Sequence, residues 1–384
     1  MFTSFVKLVS FLSYTNLVVR RLRDMNYFKD TFGFKESGYA ETRKRFQFDP
    51  ATTVLKSSAN DREFHVGKFE VLSLAELKAR LSDTARDENY ENLGQLKFSV
   101  VCGSVNTIHK KSESSGSVFQ AASQFNCLEM VGPGVTPEHG ITQYAIDRTQ
   151  GPACALACSA ATVYRNYFAT NGSNGQINCL SDVEARLTEP KKTFPYWTVK
   201  NGYCLPNTHE SMASLNVKLG QDESLVKALR EMIKVGIHWS TEVTKTTTKK
   251  TSNEYNPHRV CQIFVSACPV AYTKSTKSTD WRPFASLVLD SVYESTLAAS
   301  ALLAVQRNER VRVYLTSVGG GAFGNRTQWI SSAVLRALSL FMDFPLDVYM
   351  VNYNQTVSQQ NKELVRNWGE ECNKKRGGKK LVVS

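Results

Sequence analysis

The sequence lacks the motifs that mark common metal and cofactor enzymes. Its nine cysteines include no CxxC pair, and its six histidines show no ligand spacing such as HExxH, so we expect no metal site. It has neither the Lys-Ser/Thr ending of a P-loop nor a GxSxG nucleophile turn, and no cofactor is implied. The odd number of cysteines, mostly among apolar neighbours, favours buried thiols in a reducing compartment.

Long hydrophobic runs are also missing. No stretch approaches the roughly 18 apolar residues that a membrane span needs, and we expect no membrane partner. Residues 1–24 are unusual, because apolar and basic residues precede the first acid, Asp24. This composition suits a mitochondrial presequence, and the alternative is that Met25 is the effective start. The expected location is intracellular, either cytoplasmic or mitochondrial.

Positive charge predominates over negative charge in the full sequence. The 384 residues carry a formal net charge of +12, which favours polyanionic partners such as nucleotides or nucleic acid. Part of the excess lies in KKRGGKK, residues 374–380. This basic tail is either a solvated chain end or a contact for nucleic acid.

The chain divides by composition into four parts. Residues 1–24 are the extension described above, residues 25–95 form an N-terminal accessory region, residues 96–354 form the main domain, and residues 355–384 form a basic tail. In the main domain apolar β-runs, such as residues 96–105, 117–125 and 346–353, alternate with helical patterns, such as residues 281–305. This alternation predicts a three-layer α/β/α domain with a largely parallel or mixed sheet.

The most informative stretch spans residues 311–330. β-forming residues lead into GGGAFG at residues 319–324, and a helical pattern follows at once. A strand that feeds a glycine loop and then a helix brings bare backbone N–H groups to an anion. The pattern predicts a phosphate-binding loop.

A second loop follows the strand predicted at residues 117–125. Residues 126–141 are punctuated by glycine and proline, and a helix is predicted to start at Gly151 and Pro152, close to Asp147. Because the carboxyl ends of parallel strands meet at one edge of a sheet, the two loops are expected to converge. Their convergence favours a groove for a diphosphate over a pocket for a single phosphate.

Together the two loops resemble those of the macrodomain family and the related poly(ADP-ribose) glycohydrolases. In that family an Asn-containing strand end leads into one glycine loop that binds the distal ribose and the diphosphate, and a late strand ends in another. Residues 120–126 (QAASQFN) and 132–135 (GPGV) approximate the first loop, and residues 319–325 (GGGAFGN) match the second. The chain departs from the pattern in two respects: Pro133 breaks the first glycine run, and the glutamate pair of the glycohydrolase signature is missing.

The resemblance implies a macrodomain-like fold and assigns roles to residues. Asn126 would bind a ribose hydroxyl, and Phe323 would cover the distal ribose or the adenine. Glu138 or Asp147 would be the general acid/base, the alternatives being a solvated loop acid for Glu138 and a helix-capping or salt-bridging residue for Asp147. The other predicted ligand contacts are Gly132, Gly134, Val135, Gly319, Gly320, Gly321, Ala322, Gly324 and Asn325.

The function that the resemblance implies is binding of ADP-ribose or of an ADP-ribosylated protein. The missing glutamate pair supports binding better than hydrolysis, so both an ADP-ribosyl glycohydrolase and a reader of ADP-ribose stay open. One alternative is a non-enzymatic module that binds a nucleotide or a nucleic acid, with the basic tail adding affinity. Another alternative is a scaffold protein in which the glycines only form turns.

Overall fold

The computed structural model describes residues 26–86, 90–147, 149–244, 257–273 and 276–375. The extension at residues 1–24 and most of the basic stretch at residues 374–380 lie outside the described residues. The twelve strands of the described chain are β1 (Phe46–Asp49), β2 (Val54–Ser57), β3 (Glu63–His65), β4 (Phe69–Ser73), β5 (Lys97–Cys102), β6 (Val118–Ala122), β7 (Trp197–Lys200), β8 (Tyr203–Pro206), β9 (Lys234–Glu242), β10 (Arg259–Val265), β11 (Val311–Leu315) and β12 (Leu346–Asn352).

Twelve α-helices accompany these strands in the described part of the chain, with short 3-10 turns and one π-helical stretch, Arg165–Ala169. The α-helices are α1 (Tyr27–Phe32), α2 (Tyr39–Lys44), α3 (Leu74–Ala85), α4 (Val105–His109), α5 (Gln150–Ala157), α6 (Ser159–Tyr164), α7 (Ser181–Leu187), α8 (His209–Gln221), α9 (Glu223–Met232), α10 (Ser278–Arg307), α11 (Thr327–Leu340) and α12 (Gln359–Lys375).

Seven of the strands form one mixed sheet in the order β4-β9-β10-β6-β11-β12-β5. From β10 to β5 all neighbouring strands are parallel, whereas β9 is antiparallel to both β4 and β10. The five parallel strands therefore direct their carboxyl ends to the same edge. The remaining strands form two small antiparallel sheets, β1-β2-β3 and β7-β8.

Helices cover both faces of the seven-stranded sheet. On β6 the ring of Phe119 stacks on His109 of α4 with centroids 3.5 Å apart, whereas Gln120 donates a hydrogen bond to Thr296 Oγ1 of α10 at 2.8 Å. Since successive side chains of a strand point to opposite faces, α4 and α10 lie on opposite sides of the sheet. The predicted three-layer α/β/α arrangement with a mixed sheet is confirmed.

The main helix of one face is α10. Among the described helices it alone is long and apolar enough to cross a membrane by length and composition. However, 94% of its most apolar 18-residue segment is buried inside the protein. The helix does not read as a long apolar run in the sequence, because serine, threonine, Asp290 and Glu294 interrupt the apolar residues. Thr296 Oγ1 turns back to the helix itself and donates to the Val292 carbonyl oxygen at 2.8 Å. The helix is a central element of the core.

The seven-stranded sheet extends beyond the segment predicted as the main domain. β4 lies in the segment assigned to the accessory region, yet it pairs with β9 along its whole length, so residue 95 does not separate that region from the main sheet. α12 occupies much of the segment assigned to the basic tail. The sequence does not mark the start of β9, because Met232, Ile233 and Val235 continue the apolar spacing of α9.

A buried ion cluster joins α10 to its neighbours. The Glu294 side chain is 2% exposed and contacts Lys78 Nζ of α3 at 2.9 Å and Arg336 Nη1 of α11 at 2.5 Å. Burial opposes ionisation of Glu294, but the hydrogen bonds from Arg336 and Lys78 outweigh burial and lower the pKa of this carboxyl. Glu294 therefore acts as an ionised bridge between three helices.

Replacing Glu294 with glutamine is expected to destabilise the fold. The amide keeps the shape and loses the charge, so we expect the free energy of unfolding to fall by about 1–3 kcal/mol; Lys78 and Arg336 keep access to water, which reduces the loss below that of a fully buried pair. Urea unfolding measures the change. The control is Glu309→Gln at an exposed pair with Arg307, and equal losses in the two variants would contradict a structural role for Glu294.

Candidate functional site

A cavity of about 440 Å³ opens at the carboxyl ends of β6, β11 and β12. This is the edge of the sheet where parallel strands place their following loops, and ligands of α/β proteins bind at such edges. The lining consists mainly of residues 122–124 and 129–131 after β6, residues 149–152 at the start of α5, residues 316–323 after β11, and residues 351–353, Ser358, Gln360 and Asn361 at β12 and α12.

One wall of the cavity is the predicted glycine loop. Residues 319–323 all line it, and Gly319 and Gly324 adopt φ angles of 71° and 72° that favour glycine. Asn325 closes the loop from outside the cavity. Its backbone N–H donates to the Gly319 carbonyl oxygen at 2.9 Å, and its Nδ2 donates to the Cys268 carbonyl oxygen at 2.8 Å. The loop is therefore a tight turn anchored next to β10.

An aromatic cluster supports this loop. The ring of Phe323 lies 5.5 Å from that of Tyr203 and 5.4 Å from that of Tyr272, between centroids, and all three residues line the cavity. Tyr203 Oη donates to the Met130 carbonyl oxygen at 2.6 Å. Phe323 is thus part of an apolar wall held in place by neighbouring rings.

The cavity also contains a carboxyl group that the sequence analysis did not select. Glu129 follows β6, is 3% exposed and lines the cavity. Its Oε1 has no hydrogen-bonding partner among the described residues. Burial raises the pKa of Glu129 well above its usual value; Arg165 opposes this effect and Asp147 adds to it. A carboxyl group that stays protonated can donate a proton to a ligand.

A close approach of two segments fixes the Glu129 carboxyl. A Cβ atom at Gly151 would overlap Glu129 Oε2 and the Ala122 carbonyl oxygen, so only glycine lets the first turn of α5 pack here. The Glu129 backbone N–H donates to Tyr144 Oη at 2.8 Å. The acid is therefore closely packed at its side chain and hydrogen-bonded through its backbone.

A buried arginine holds the segment that precedes Glu129. Arg165 is 1% exposed, its Nε donates to the Cys127 carbonyl oxygen at 2.9 Å, and its guanidinium lies 3.5 Å from the ring centroid of Phe264. Its Nη2 donates to Thr162 Oγ1 at 3.1 Å. Arg165 therefore places a positive charge inside the fold and fixes the chain two residues before the acid.

The two predicted catalytic residues lie in different places. Asp147 lines the cavity, and its Oδ1 accepts a hydrogen bond from the Thr149 backbone N–H at 2.8 Å, a local contact just before α5. Glu138 is exposed, lies outside the cavity lining, and accepts hydrogen bonds from Ser173 N at 2.7 Å and Ser173 Oγ at 2.6 Å. Partial burial opposes ionisation of Glu138, but the bonds from Ser173 lower its pKa to about 2, so it is a poor proton donor.

The predicted residues of the first loop do not line the cavity. Asn126 is fully buried, with Oδ1 accepting from Leu128 N at 3.1 Å and Nδ2 donating to Gln176 Oε1 at 2.8 Å. It shapes the turn after β6 through these contacts. The structure places Gly132, Gly134 and Val135 outside the lining as well. One glycine loop, rather than two, forms the cavity wall, and the start of α5 takes the place of the other.

The cavity reaches the end of β12, where the sequence analysis selected no residues. Tyr353 lines it and is 60% exposed. Asn361 of α12 is 4% exposed, its Nδ2 donates to Asn352 Oδ1 at 3.1 Å, and its own Oδ1 has no partner within the described part of the chain. The signal for these residues is the polar segment that follows the last strand, at the same sheet edge as the glycine loop.

The electrostatics of the cavity depend on backbone groups. Its described lining includes no lysine or arginine and two acids, Glu129 and Asp147. The first turns of three helices contribute lining residues: Gly151 of α5, Thr327 of α11 and Gln360 of α12. Free N–H groups at helix N-termini and in glycine loops attract anions. The cavity can therefore hold an anionic group without a cationic side chain.

A sequence signal for Glu129 existed. It is the only acid among residues 117–137 and lies between Leu128 and Met130, which is unusual for a charged residue on an exposed loop. The family pattern directed attention to acids that follow the glycines, whereas Glu129 precedes them.

Replacing Glu129 with glutamine is expected to remove a pH dependence of stability. The pKa of Glu129 is raised by folding from an ordinary value of 4.5, so its contribution is fully present below that value and is lost as the pH rises through the folded-state pKa. We expect the Tm of the wild type to fall more than that of Glu129→Gln between about pH 4 and about pH 8. Differential scanning fluorimetry measures this.

Glu138→Gln is expected to have the opposite effect on the pH dependence of Tm, because folding lowers the pKa of Glu138. The lowered pKa of Glu138 contributes stability above its ordinary value of 4.5 that is lost as the pH falls towards about 2. Identical pH profiles of Tm for the wild type and Glu129→Gln would contradict the raised pKa of Glu129.

Comparison with known proteins gives matches to solved structures alone. No family model matches the sequence, and no curated protein matches it. The structure is similar to a poly(ADP-ribose) glycohydrolase from Thermomonospora curvata bound to the inhibitor ADP-HPD, with 12% identity, a TM-score of 0.42, and coverage of 91% of this chain and 99% of that chain. It is also similar to a poly(ADP-ribose) glycohydrolase from Deinococcus radiodurans in complex with ADP-ribose, with 10% identity, a TM-score of 0.40, and coverage of 79% and 95%.

Proposed function

We propose that this chain binds an ADP-ribose unit in the cavity and hydrolyses the bond between that unit and its acceptor. The observation that carries the proposal is the meeting, in one cavity, of the glycine loop at residues 319–323 with the buried carboxyl of Glu129. The loop suits a diphosphate and the carboxyl suits acid catalysis. Both features belong to this chain's own residues.

The diphosphate is assigned to the glycine loop. Residues of the loop and of the first turns of α5 and α11 line the cavity, and free backbone N–H groups in such positions bind phosphate oxygens. The described lining has no lysine or arginine, so binding would depend on short-range hydrogen bonds more than on long-range attraction. A diphosphate inside the cavity would also be less screened by salt than one on the surface.

The base is assigned to the end of β12. Tyr353 offers an exposed ring for stacking, and Asn361 offers a buried carbonyl oxygen that lacks a partner among the described residues. An exocyclic amino group, such as that of adenine, is the complementary donor. With the base at this end and the diphosphate on the glycine loop, the distal ribose is assigned to the part of the cavity that contains Glu129 and Asp147.

The chemistry follows from the protonation state of Glu129. As the bond from the ribose anomeric carbon to the acceptor oxygen breaks, Glu129 gives its proton to that oxygen and the acceptor leaves as an alcohol. Water adds to the anomeric carbon, and its proton passes to Asp147, which gives ADP-ribose. Both carboxyl groups then return to their starting states by exchange with solvent.

Binding is tested with ADP-ribose by isothermal titration calorimetry. We expect a 1:1 complex whose affinity changes by less than about threefold between about 50 and 200 mM salt, whereas binding of nucleic acid by surface cations would weaken by orders of magnitude. The variant is Gly321→Leu, because a Cβ at Gly321 meets no atom within 4 Å and the residue lines the cavity. We expect it to fold and to lose binding.

The matched control is Gly220→Leu. Its Cβ also meets no atom within 4 Å, and Gly220 is an exposed residue of α8. Absence of binding by the wild type at high micromolar protein, or equal binding by the Gly321→Leu variant, would contradict the assigned site.

Hydrolysis is tested by release of ADP-ribose from an ADP-ribosylated protein. We expect Glu129→Gln to lower kcat by at least about 100-fold, because positioned proton transfer contributes about 10²–10⁴-fold. Binding of ADP-ribose should change little, since the amide keeps the shape. Glu138→Gln is the control and should keep wild-type kcat. A wild-type chain that binds ADP-ribose and releases none would identify a reader instead of an enzyme.

A further inference from the structure

We propose that the N-terminal segment belongs to the catalytic apparatus, with Glu36 as a positioning residue for the loop that carries Tyr144 and Asp147. The inference rests on the proposed hydrolysis, because the group that it positions is Glu129. It assigns a role to a segment that sequence analysis described only as accessory.

The Glu36 carboxylate is fully engaged by this loop and its surroundings. It accepts hydrogen bonds from the Ile141 backbone N–H at 2.8 and 3.0 Å, from the Thr142 backbone N–H at 2.7 Å, and from Tyr167 Oη at 2.7 Å. A carboxylate bound by two consecutive backbone N–H groups fixes both position and orientation of the peptide that bears them. The partners lie more than 100 residues away along the chain.

Two further contacts restrict the same peptide. Tyr27 Oη donates to the Ile141 carbonyl oxygen at 2.8 Å, so residues before the first strand bind both backbone polar groups of Ile141. A Cβ at Gly140 would overlap the Glu36 carboxyl group, which shows that the loop is packed directly against it. The N-terminal segment thus clamps the start of the loop.

The clamp connects to Glu129 in two steps. The Ile141 carbonyl oxygen also accepts a hydrogen bond from the Tyr144 backbone N–H at 3.0 Å, and Tyr144 Oη accepts one from the Glu129 backbone N–H at 2.8 Å. Tyr144 is 2% exposed, so it has little room to move. Asp147 lies three residues further along the loop. Loss of the Glu36 contacts would therefore displace both acids of the cavity.

The N-terminal segment does not need Glu36 to form its own core. Phe28, Phe32, Phe34 and Phe46 pack edge to face or tilted, with ring centroids 4.8 to 6.2 Å apart. This aromatic cluster holds α1 and β1 together by apolar burial. A substitution at Glu36 is therefore expected to leave a folded protein in which the loop is misplaced.

The test compares Glu36→Gln, Tyr144→Phe and the double variant in the full chain. In Glu36→Gln an amide group replaces one oxygen that now accepts hydrogen bonds, so the clamp loosens. We expect kcat for release of ADP-ribose to fall by about 10- to 100-fold, because misplacement of about 1 Å can cost about 10²-fold. KM and the Kd of ADP-ribose should change by less than about threefold, since the glycine loop is not affected.

The double variant separates positioning from general destabilisation. If both residues act through one route to Glu129, its kcat should lie within about threefold of the lower single variant. Hydrogen exchange of the Glu129 amide should speed up in all three variants. Glu41→Gln is the matched control, because Glu41 lies on α2 of the same segment and pairs with Lys44 at the surface; it should alter neither kcat nor exchange.

The outcomes distinguish this inference from the proposed function. In an active wild type, an unchanged kcat for Glu36→Gln, or multiplicative losses in the double variant together with a raised KM, would overturn the positioning role. A wild-type chain that releases no ADP-ribose would overturn the proposed hydrolysis and the inference with it.

Discussion

The site depends on burial of one carboxyl group at the carboxyl end of a parallel strand. Glu129 is 3% exposed, and its Oε1 lacks a partner within the described chain, which is costly for an ionised group and tolerable for a protonated one. The neighbouring structure is consistent with this constraint. Gly151 has no side chain where Oε2 lies, Tyr144 accepts the backbone N–H of the acid, and Arg165 holds the chain two residues earlier.

In the proposed function, binding and catalysis depend on different kinds of group. Anion binding is assigned to backbone N–H groups of the glycine loop and helix N-termini, and the described lining contains no lysine or arginine. The buried Arg165 favours the ionised form of Glu129, but burial outweighs this effect and raises the pKa of the carboxyl.

The sequence predicted the features that local patterns encode. The glycine loop, the long core helix and the last strand all follow from periodicity and glycine content, and the structure places residues 319–323 and Asp147, which were selected from the sequence, in the cavity lining. The rest depends on tertiary contacts. Asn126 is occupied by Leu128 and Gln176, and Glu138 by Ser173. β4 joins the main sheet through β9, about 160 residues away, and no local pattern records such pairings.

The central claim is that Glu129 is a protonated acid inside the cavity. Carbon-13 NMR of the full chain labelled at glutamate carboxyl carbons tests it directly, with the Glu129 signal identified by its loss in Glu129→Gln. The account predicts that this carbon titrates at a pH well above the ordinary value of 4.5, while the carboxyl of Glu138 titrates at about 2. A Glu129 signal that titrates near the ordinary value of 4.5 would contradict the account.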